Sequence, residues 1–158
     1  MPKRKYSRVV DEHHVVRRCG SQAIERDRVT KAVLGLFPIV MRLREQISET
    51  YLSANWLEHR DGTRSQRLKM IAAIYRTKAI RPLSPESGIA VMNAGRIRKI
   101  GTAHSRNLAV RHVPDRGDPS YSRISGLPLD NSDDLLIASL TDEAYRDFML
   151  LKEVDALP

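Results

Sequence analysis

The chain is poor in cysteine and in long apolar runs. Cys19 is the only cysteine among its 158 residues, which excludes an internal disulfide framework and a cysteine-based zinc site and is typical of a reducing cytoplasm. No stretch reaches the roughly 18 consecutive apolar residues that a membrane helix needs. The beginning of the chain, Met-Pro-Lys-Arg-Lys, has no apolar run behind it, so we expect no secretory signal. These absences predict a cytoplasmic protein with no membrane partner.

Aromatic residues are also scarce, at 5% of the chain, whereas apolar residues as a whole make up 41%. The apolar fraction is ordinary for a globular protein, so a core of useful size can form. That core must consist mostly of Leu, Ile, Val, Ala and Met side chains. The length is close to the commonest size for one domain, and we expect a single domain.

Charge is distributed unevenly along the chain. Lys and Arg total 27 against 19 acidic residues, a net charge of +8, and 20 of the 27 are Arg. Residues 126–158 hold two basic and eight acidic residues, a charge of −6, which leaves +14 on residues 1–125. The planar guanidinium group suits phosphate and carboxylate. The basic part of the chain therefore indicates an anionic partner.

The first half of the chain predicts a basic arm followed by mixed secondary structure. Residues 1–8 have little to bury and are expected to be disordered, with one α+β domain over 9–158. Valine pairs separated by glycines favour short strands and turns up to residue 36. A short helix is expected over 38–46, a turn and helix over 48–58, and the clearest amphipathic helix over 64–79.

The second half predicts a strand over 88–92, a helix over 93–104 and a second strand of the same sheet over 107–113. Together they form a compact β-α-β-like unit, which is right-handed if the strands are parallel. Five Pro and Gly residues between 114 and 130 indicate a long irregular loop that is functional or mobile. An acidic C-terminal helix is expected from Asn131 onwards, with its apolar side made by Leu136, Leu140, Ala144, Phe148 and Leu151. The predicted fold is α+β, with a short mixed sheet and about four helices.

Three short segments resemble a family of small uncharacterised bacterial proteins that contain an LSxxWLE segment. They are Tyr51-Leu-Ser-Ala-Asn-Trp-Leu-Glu58, Arg111-His-Val-Pro114 and Ile124-Ser-Gly-Leu-Pro128. The resemblance spans about residues 30–140, and Tyr121 stands where a histidine is frequent in the pattern. It implies a bacterial origin and a single domain, and it implies no activity.

The sequence predicts neither a metal nor a cofactor. Asp11-Glu-His-His14 contains good ligand types, but adjacent residues of a strand point to opposite faces and cannot hold one ion. Residues 88–101 place glycines near a strand–helix junction without the ending of a phosphate-binding loop or a dinucleotide signature. An ordinary helix start explains that segment.

Metal-independent RNA cleavage is the enzyme hypothesis that the residues permit. It needs a general base, a general acid and a cation. The candidates are His104, Arg111, His112 and Tyr121, which lie close together in sequence. Each histidine also has a structural interpretation, His104 as a core residue and His112 as a strand-end cap. We therefore favour a binding protein over an enzyme.

The leading hypothesis is an accessory protein that binds nucleic acid without sequence specificity, because net charge promotes association with phosphates. A protein-binding adaptor or immunity-type protein with an acidic partner is the alternative, and a ribonuclease toxin is the third. Whether the target is DNA or RNA, and whether the chain forms a homo-oligomer, stays open. The residues expected to contact nucleic acid are Lys3, Arg4, Lys5, Arg17, Arg18, Arg96, Arg98 and Lys99.

Overall fold

A computed structural model describes residues 6–158 and shows the α+β fold that the sequence predicts. The strands are β1 (Ser7–Arg8), β2 (His14–Cys19), β3 (Ile24–Arg26), β4 (Val33–Leu36), β5 (Tyr51–Trp56), β6 (Gly88–Asn93), β7 (Ala109–His112), β8 (Tyr121–Ser125) and β9 (Phe148–Leu150). The α-helices are α1 (Arg64–Lys78), α2 (Ala94–Ala103), α3 (Asp134–Arg146) and α4 (Leu151–Asp155). Short 3₁₀ turns occupy Ser21–Ala23, Pro38–Met41, Glu45–Ile47 and Leu57–His59.

Seven strands form one sheet in the order β1-β7-β8-β5-β2-β6-β9, and β3 and β4 form a separate hairpin. Every strand pairing in the described chain is antiparallel, so the sheet is not the short mixed sheet expected from the sequence. The strands β6 and β7 do belong to one sheet and run in the same direction. Three strands separate them, because β2, β5 and β8 pair in between.

The sheet separates two hydrophobic cores. On one face, strand residues such as Val15 and Ile124 pack with α2 and α3 in the larger core. On the other face, Val16 and Ile89 pack with α1 and α4. Alternating side chains along a strand point to opposite faces, so neighbours such as Val15 and Val16 contribute to different cores. None of the helices within residues 6–158 is long and apolar enough to cross a membrane.

Local signals place α1 and α2 as predicted. Thr63 and Gln66 form a reciprocal capping box at the start of α1, and Leu68 and Ile71 on its inner side are buried. The side chain of Asn93 accepts the backbone N–H of Arg96 at the start of α2. These bonds satisfy backbone donors that a helix N-terminus otherwise leaves unpaired.

Three predictions of secondary structure were wrong. Residues 38–46 form 3₁₀ turns instead of a helix. Residues 48–58 contain the strand β5, in which Leu52 and Ala54 are buried on either side of the exposed Ser53. The expected loop over 114–130 contains β8, a strand in the interior of the sheet.

The acidic C-terminal helix is shorter than expected. Leu136, Leu140 and Ala144 are buried on α3, but the helix ends at Arg146 and the chain turns into β9, which pairs with β6. Phe148 therefore belongs to a strand rather than to the helical stripe. Pairing with the open edge of β6 satisfies backbone groups that a continued helix would have left exposed.

The basic arm expected over 1–8 lies partly outside the described residues. Its end, Ser7–Arg8, is β1 and pairs with β7 at the edge of the sheet. Arg98 fixes the following segment, because its guanidinium group donates to the carbonyl oxygens of Val9 and Val110 and to the carboxylate of Asp11.

Candidate functional site

The helices α1 and α4 cover only the β2–β6 side of their face of the sheet. The register places Val16 opposite Asn55 and Asn55 opposite Tyr121, so the remaining side chains of this face lie beyond the helices. We call this uncovered area the open face. Its members are Arg18, Tyr51, Ser53, Arg111, Tyr121 and Arg123.

Two arginines are direct cross-strand neighbours on the open face. Arg111 of β7 lies opposite Arg123 of β8, which in turn lies opposite Ser53 of β5. Within residues 6–158, neither arginine forms an ion pair with a carboxylate. The buried Nε of Arg123 also has no hydrogen-bond partner there. Like charges placed opposite each other destabilise a sheet unless an anion lies between them.

Two tyrosines flank the Arg123 guanidinium group. Its central carbon lies 4.0 Å from the ring centroid of Tyr51 and 5.9 Å from that of Tyr121. The hydroxyl groups of Tyr121 and Ser53 are 2.9 Å apart and share a hydrogen bond. Cation–π attraction to both rings holds the guanidinium group in place.

A cleft of about 260 Å³ lies against this arrangement. It is lined by Tyr6, Tyr51, Tyr121 and Arg123, and the loop after β7 contributes Asp115. A side-chain hydrogen bond with Tyr121 that favours the protonated form of Tyr51, followed by burial, raises the pKa of Tyr51 above its usual range. The phenol consequently stays neutral at physiological pH and adds no negative charge to the cleft.

The loop between β7 and β8, which lines the cleft, is joined to α1 through Asp118. The carboxylate of Asp118 is only 1% exposed. It accepts hydrogen bonds from Asn55 at 2.6 Å and from Lys78 at 2.8 Å. The Lys78 ammonium group also lies 5.1 Å from the centroid of the Tyr121 ring, so the Lys78–Asp118 ion pair borders the open face.

Three of the predicted nucleic-acid contacts have other partners. Arg17 donates to the carbonyl oxygens of Val40 and Ser53, Arg96 pairs with the buried carboxylate of Glu143 at 2.8 Å, and Arg98 fixes the sheet edge as described above. Burial lowers the pKa of Arg17. These cations contribute to folding, so they are poorly placed for an external anion.

Two predicted contacts are exposed and have no carboxylate partner among the described residues. Arg18 belongs to the open face, and Lys99 is on α2, which packs against the opposite face. The predicted surface is therefore not continuous. The arm residues Lys3, Arg4 and Lys5 lie outside the described residues.

The acidic C-terminal segment neutralises part of the basic body. Arg42, Arg64, Arg76 and Arg96 each pair with a carboxylate from residues 126–158, at distances of 2.5 to 3.3 Å. These pairs concentrate the unpaired positive charge on other surfaces, of which the open face is one.

The candidate catalytic residues do not form one cluster. Arg111 and Tyr121 share the open face, whereas His112, the next residue along β7, points the other way. The Nε2 of His112 lies 2.6 Å from the carbonyl oxygen of Pro119, and His104 contacts Ser139 on α3. Both histidines have the structural contacts that their alternative interpretations require.

A histidine–tryptophan cluster surrounds Trp56 on the side of His112. The ring centroids of His59 and His112 are 4.7 Å apart, and both rings contact Trp56. The indole N–H donates to Nδ1 of His13 at 3.0 Å. Burial, followed by the charges of His112 and Arg60, lowers the pKa of His59. The sequence did not indicate His59, and it indicated His13 only within the Asp11-Glu-His-His14 segment, because only the fold brings both residues to Trp56.

No group of three or more potential metal ligands is present in residues 6–158. The three segments that suggested a bacterial family lie on β5, β7 and β8, which are neighbours in the sheet, and the resemblance stays a prediction. Comparisons with protein families, with curated proteins and with solved structures found no match to this chain.

Proposed function

We propose that the chain binds nucleic acid without sequence specificity and that the open face is its contact surface. The supporting observation is the cross-strand pair Arg111–Arg123 without a carboxylate partner in the described chain. Repulsion between these two charges costs stability in the free protein, and phosphate groups would remove that cost. The exposed Arg18 extends the positive charge on the β2 side.

Phosphate contacts give affinity without reading bases. Each contact that an arginine makes releases counterions, so binding weakens as the salt concentration rises. The open face has no helix placed to enter a groove, because α1 and α4 pack flat on the sheet beside it. This geometry fits association with the backbone rather than recognition of a sequence.

Fluorescence anisotropy with labelled oligonucleotides tests the proposal across about 50 to 300 mM salt. We expect Arg111→Gln and Arg123→Gln each to weaken binding and to reduce the slope of log K against log salt by about 0.7–0.9. Arg28→Gln is the matched control, because Arg28 is an exposed arginine on the β3–β4 turn and its loss changes the net charge equally. Equal effects of all three variants would contradict a specific surface.

A metal-independent ribonuclease is the second candidate, and the contact between His59 and His112 favours it. Two imidazoles in contact can serve as general base and general acid, the base removing the proton of a 2′-hydroxyl and the acid protonating the leaving 5′-oxygen. Cleavage of labelled RNA that His59→Ala and His112→Ala abolish would support this function. Intact RNA in the presence of wild-type protein would exclude it, and absence of any binding would favour the adaptor alternative.

A further inference from the structure

The cleft beside Arg123 has a composition that phosphate binding alone does not explain. Three tyrosines, Tyr6, Tyr51 and Tyr121, meet there with one guanidinium group and the carboxylate of Asp115. A site for phosphate alone has no use for aromatic walls, and a carboxylate beside the arginine would repel the phosphate. Flat π-surfaces with one donor and one acceptor group match a different ligand.

We infer that this cleft receives an unpaired nucleobase, so that the chain prefers single-stranded to double-stranded nucleic acid. The inference rests on the proposed function and names the kind of strand that the open face takes. Bases stack on tyrosine rings and on guanidinium planes, and a duplex keeps its bases stacked inside. Only a single strand presents a base to such a cleft.

Different residues of this surface contact the base and the backbone. The Tyr51 ring already supports the Arg123 guanidinium group at 4.0 Å, so it stays in place while a base enters. Tyr6 also lines the cleft and is 47% exposed, so its ring is accessible to a base that enters. Arg111, fully on the surface beside Arg123, contacts the phosphate next to that base.

The polar groups of the cleft are suited to the edge of a base. One carboxylate oxygen of Asp115 accepts the backbone N–H of Arg116, and the other can accept an exocyclic amino group. The guanidinium group of Arg123, a residue that lines the cleft, supplies donors for a carbonyl or ring nitrogen. Such contacts orient a base with weak selectivity, which agrees with binding that does not depend on sequence.

Three labelled oligonucleotides of equal length, each about 12 nucleotides, test the inference by anisotropy at one salt concentration. They are a single strand, the duplex of the same sequence and a single strand with abasic sites in place of the bases. We expect the single strand to bind about tenfold more tightly than the other two, because stacking of one base contributes roughly that factor.

Two protein variants test whether the cleft causes the preference for the single strand. Tyr6→Ala is expected to reduce single-strand affinity about tenfold and to leave abasic binding unchanged, and its exposure makes a folding defect avoidable. Tyr145→Ala is the control, since Tyr145 is an exposed tyrosine on α3. Tyr51→Ala is the second variant, checked for folding by circular dichroism.

The outcomes separate the inference from the proposed function. Equal affinity for the intact and the abasic single strand, or no effect of Tyr6→Ala, would overturn the nucleobase cleft and leave phosphate binding in place. Absence of binding to all three oligonucleotides would overturn both.

Discussion

The carboxylate of Asp118 and the ammonium group of Lys78 are 2.8 Å apart, although Asp118 is only 1% exposed and Lys78 is 45% exposed. Asn55 and Ser120 supply the other hydrogen bonds to the same carboxylate. The pair joins the end of α1 to the loop between β7 and β8. It thereby sets the position of the loop that lines the cleft relative to the open face.

Removing the cation should destabilise the protein. Lys78→Met leaves the buried Asp118 carboxylate with only neutral donors, and an incompletely paired buried charge costs about 1–3 kcal/mol. Lys69→Met on the same helix is the matched control, because Lys69 is exposed and forms no ion pair within residues 6–158. Urea unfolding measures both. Equal stability of the two variants would show that Asp118 does not depend on Lys78.

Two glycines with positive φ give a second prediction. Gly117 has φ of +78° and no atom within 4 Å of an added Cβ. Gly126 has φ of +98°, and an added Cβ would lie 2.3 Å from the carbonyl oxygen of Asn107. We expect Gly117→Ala to cost about 1 kcal/mol from backbone strain. Gly126→Ala should cost clearly more, because β8 must also move from the start of β7.

Thermal unfolding of the two alanine variants compares these costs directly. The comparison separates strain from steric overlap, since both substitutions place alanine in the same unfavourable region of φ. If the Gly126→Ala protein unfolded at the same or a higher temperature than the Gly117→Ala protein, the close contact between Gly126 and Asn107 would be contradicted.

Stability should depend on pH through His59. Its pKa in the folded protein is lowered, so the unfolded chain binds the proton more tightly. The stability that neutral His59 contributes is complete above its pKa in the unfolded chain, about 6.5. It is lost as the pH falls through the pKa of His59 in the folded protein. We expect the free energy of unfolding to decline from pH 7.5 to pH 5.5 (about one unit on either side of the unfolded pKa).

The variant His59→Phe tests this cause, because it keeps a ring against Trp56 and cannot be protonated. Urea unfolding at both pH values should show a smaller decline for the variant than for the wild type. An identical decline in the two proteins would assign the pH dependence to other groups.

Cys19 should be unreactive in the folded protein. It is 1% exposed, and burial raises the pKa of its thiol to about 12. The thiolate is the reactive form, so iodoacetamide at pH 8 (still below the ordinary thiol pKa of about 8.5) should modify Cys19 only after the protein unfolds. Mass spectrometry with and without urea measures this, and rapid modification without urea would contradict the burial.

Local patterns were sufficient for the helices α1 and α2. Each has an N-cap in the sequence and an apolar stripe at helical spacing, and neither needs distant residues to begin or end. The same reasoning failed for β5 and β8. A polar, tyrosine-containing segment such as Tyr51–Trp56 becomes a strand because it pairs with β2 on one side and β8 on the other.

The candidate site depended on long-range contacts for the same reason. Nothing in the local sequence distinguishes Arg96, which pairs with Glu143, from Arg123, which has no ion pair in the described chain. The pattern Tyr121-Ser-Arg123-Ile-Ser125 does alternate with the period of a strand. The positions of Tyr121 and Arg123 on one face with Ser53 and Arg111 became evident only once β5, β7 and β8 were known to be neighbours.

The sequence by itself determined the α+β class, the single cysteine, the excess of arginine and the opposite charges of the two parts of the chain. These follow from composition and from interactions between residues a few positions apart. Tertiary structure decided the strand order, the pairing of arginines with C-terminal carboxylates and the meeting of Tyr51, Arg111 and Arg123. Such contacts join residues as far apart as Arg76 and Asp155, which are 79 positions apart, because burial of the two cores selects one arrangement of the strands.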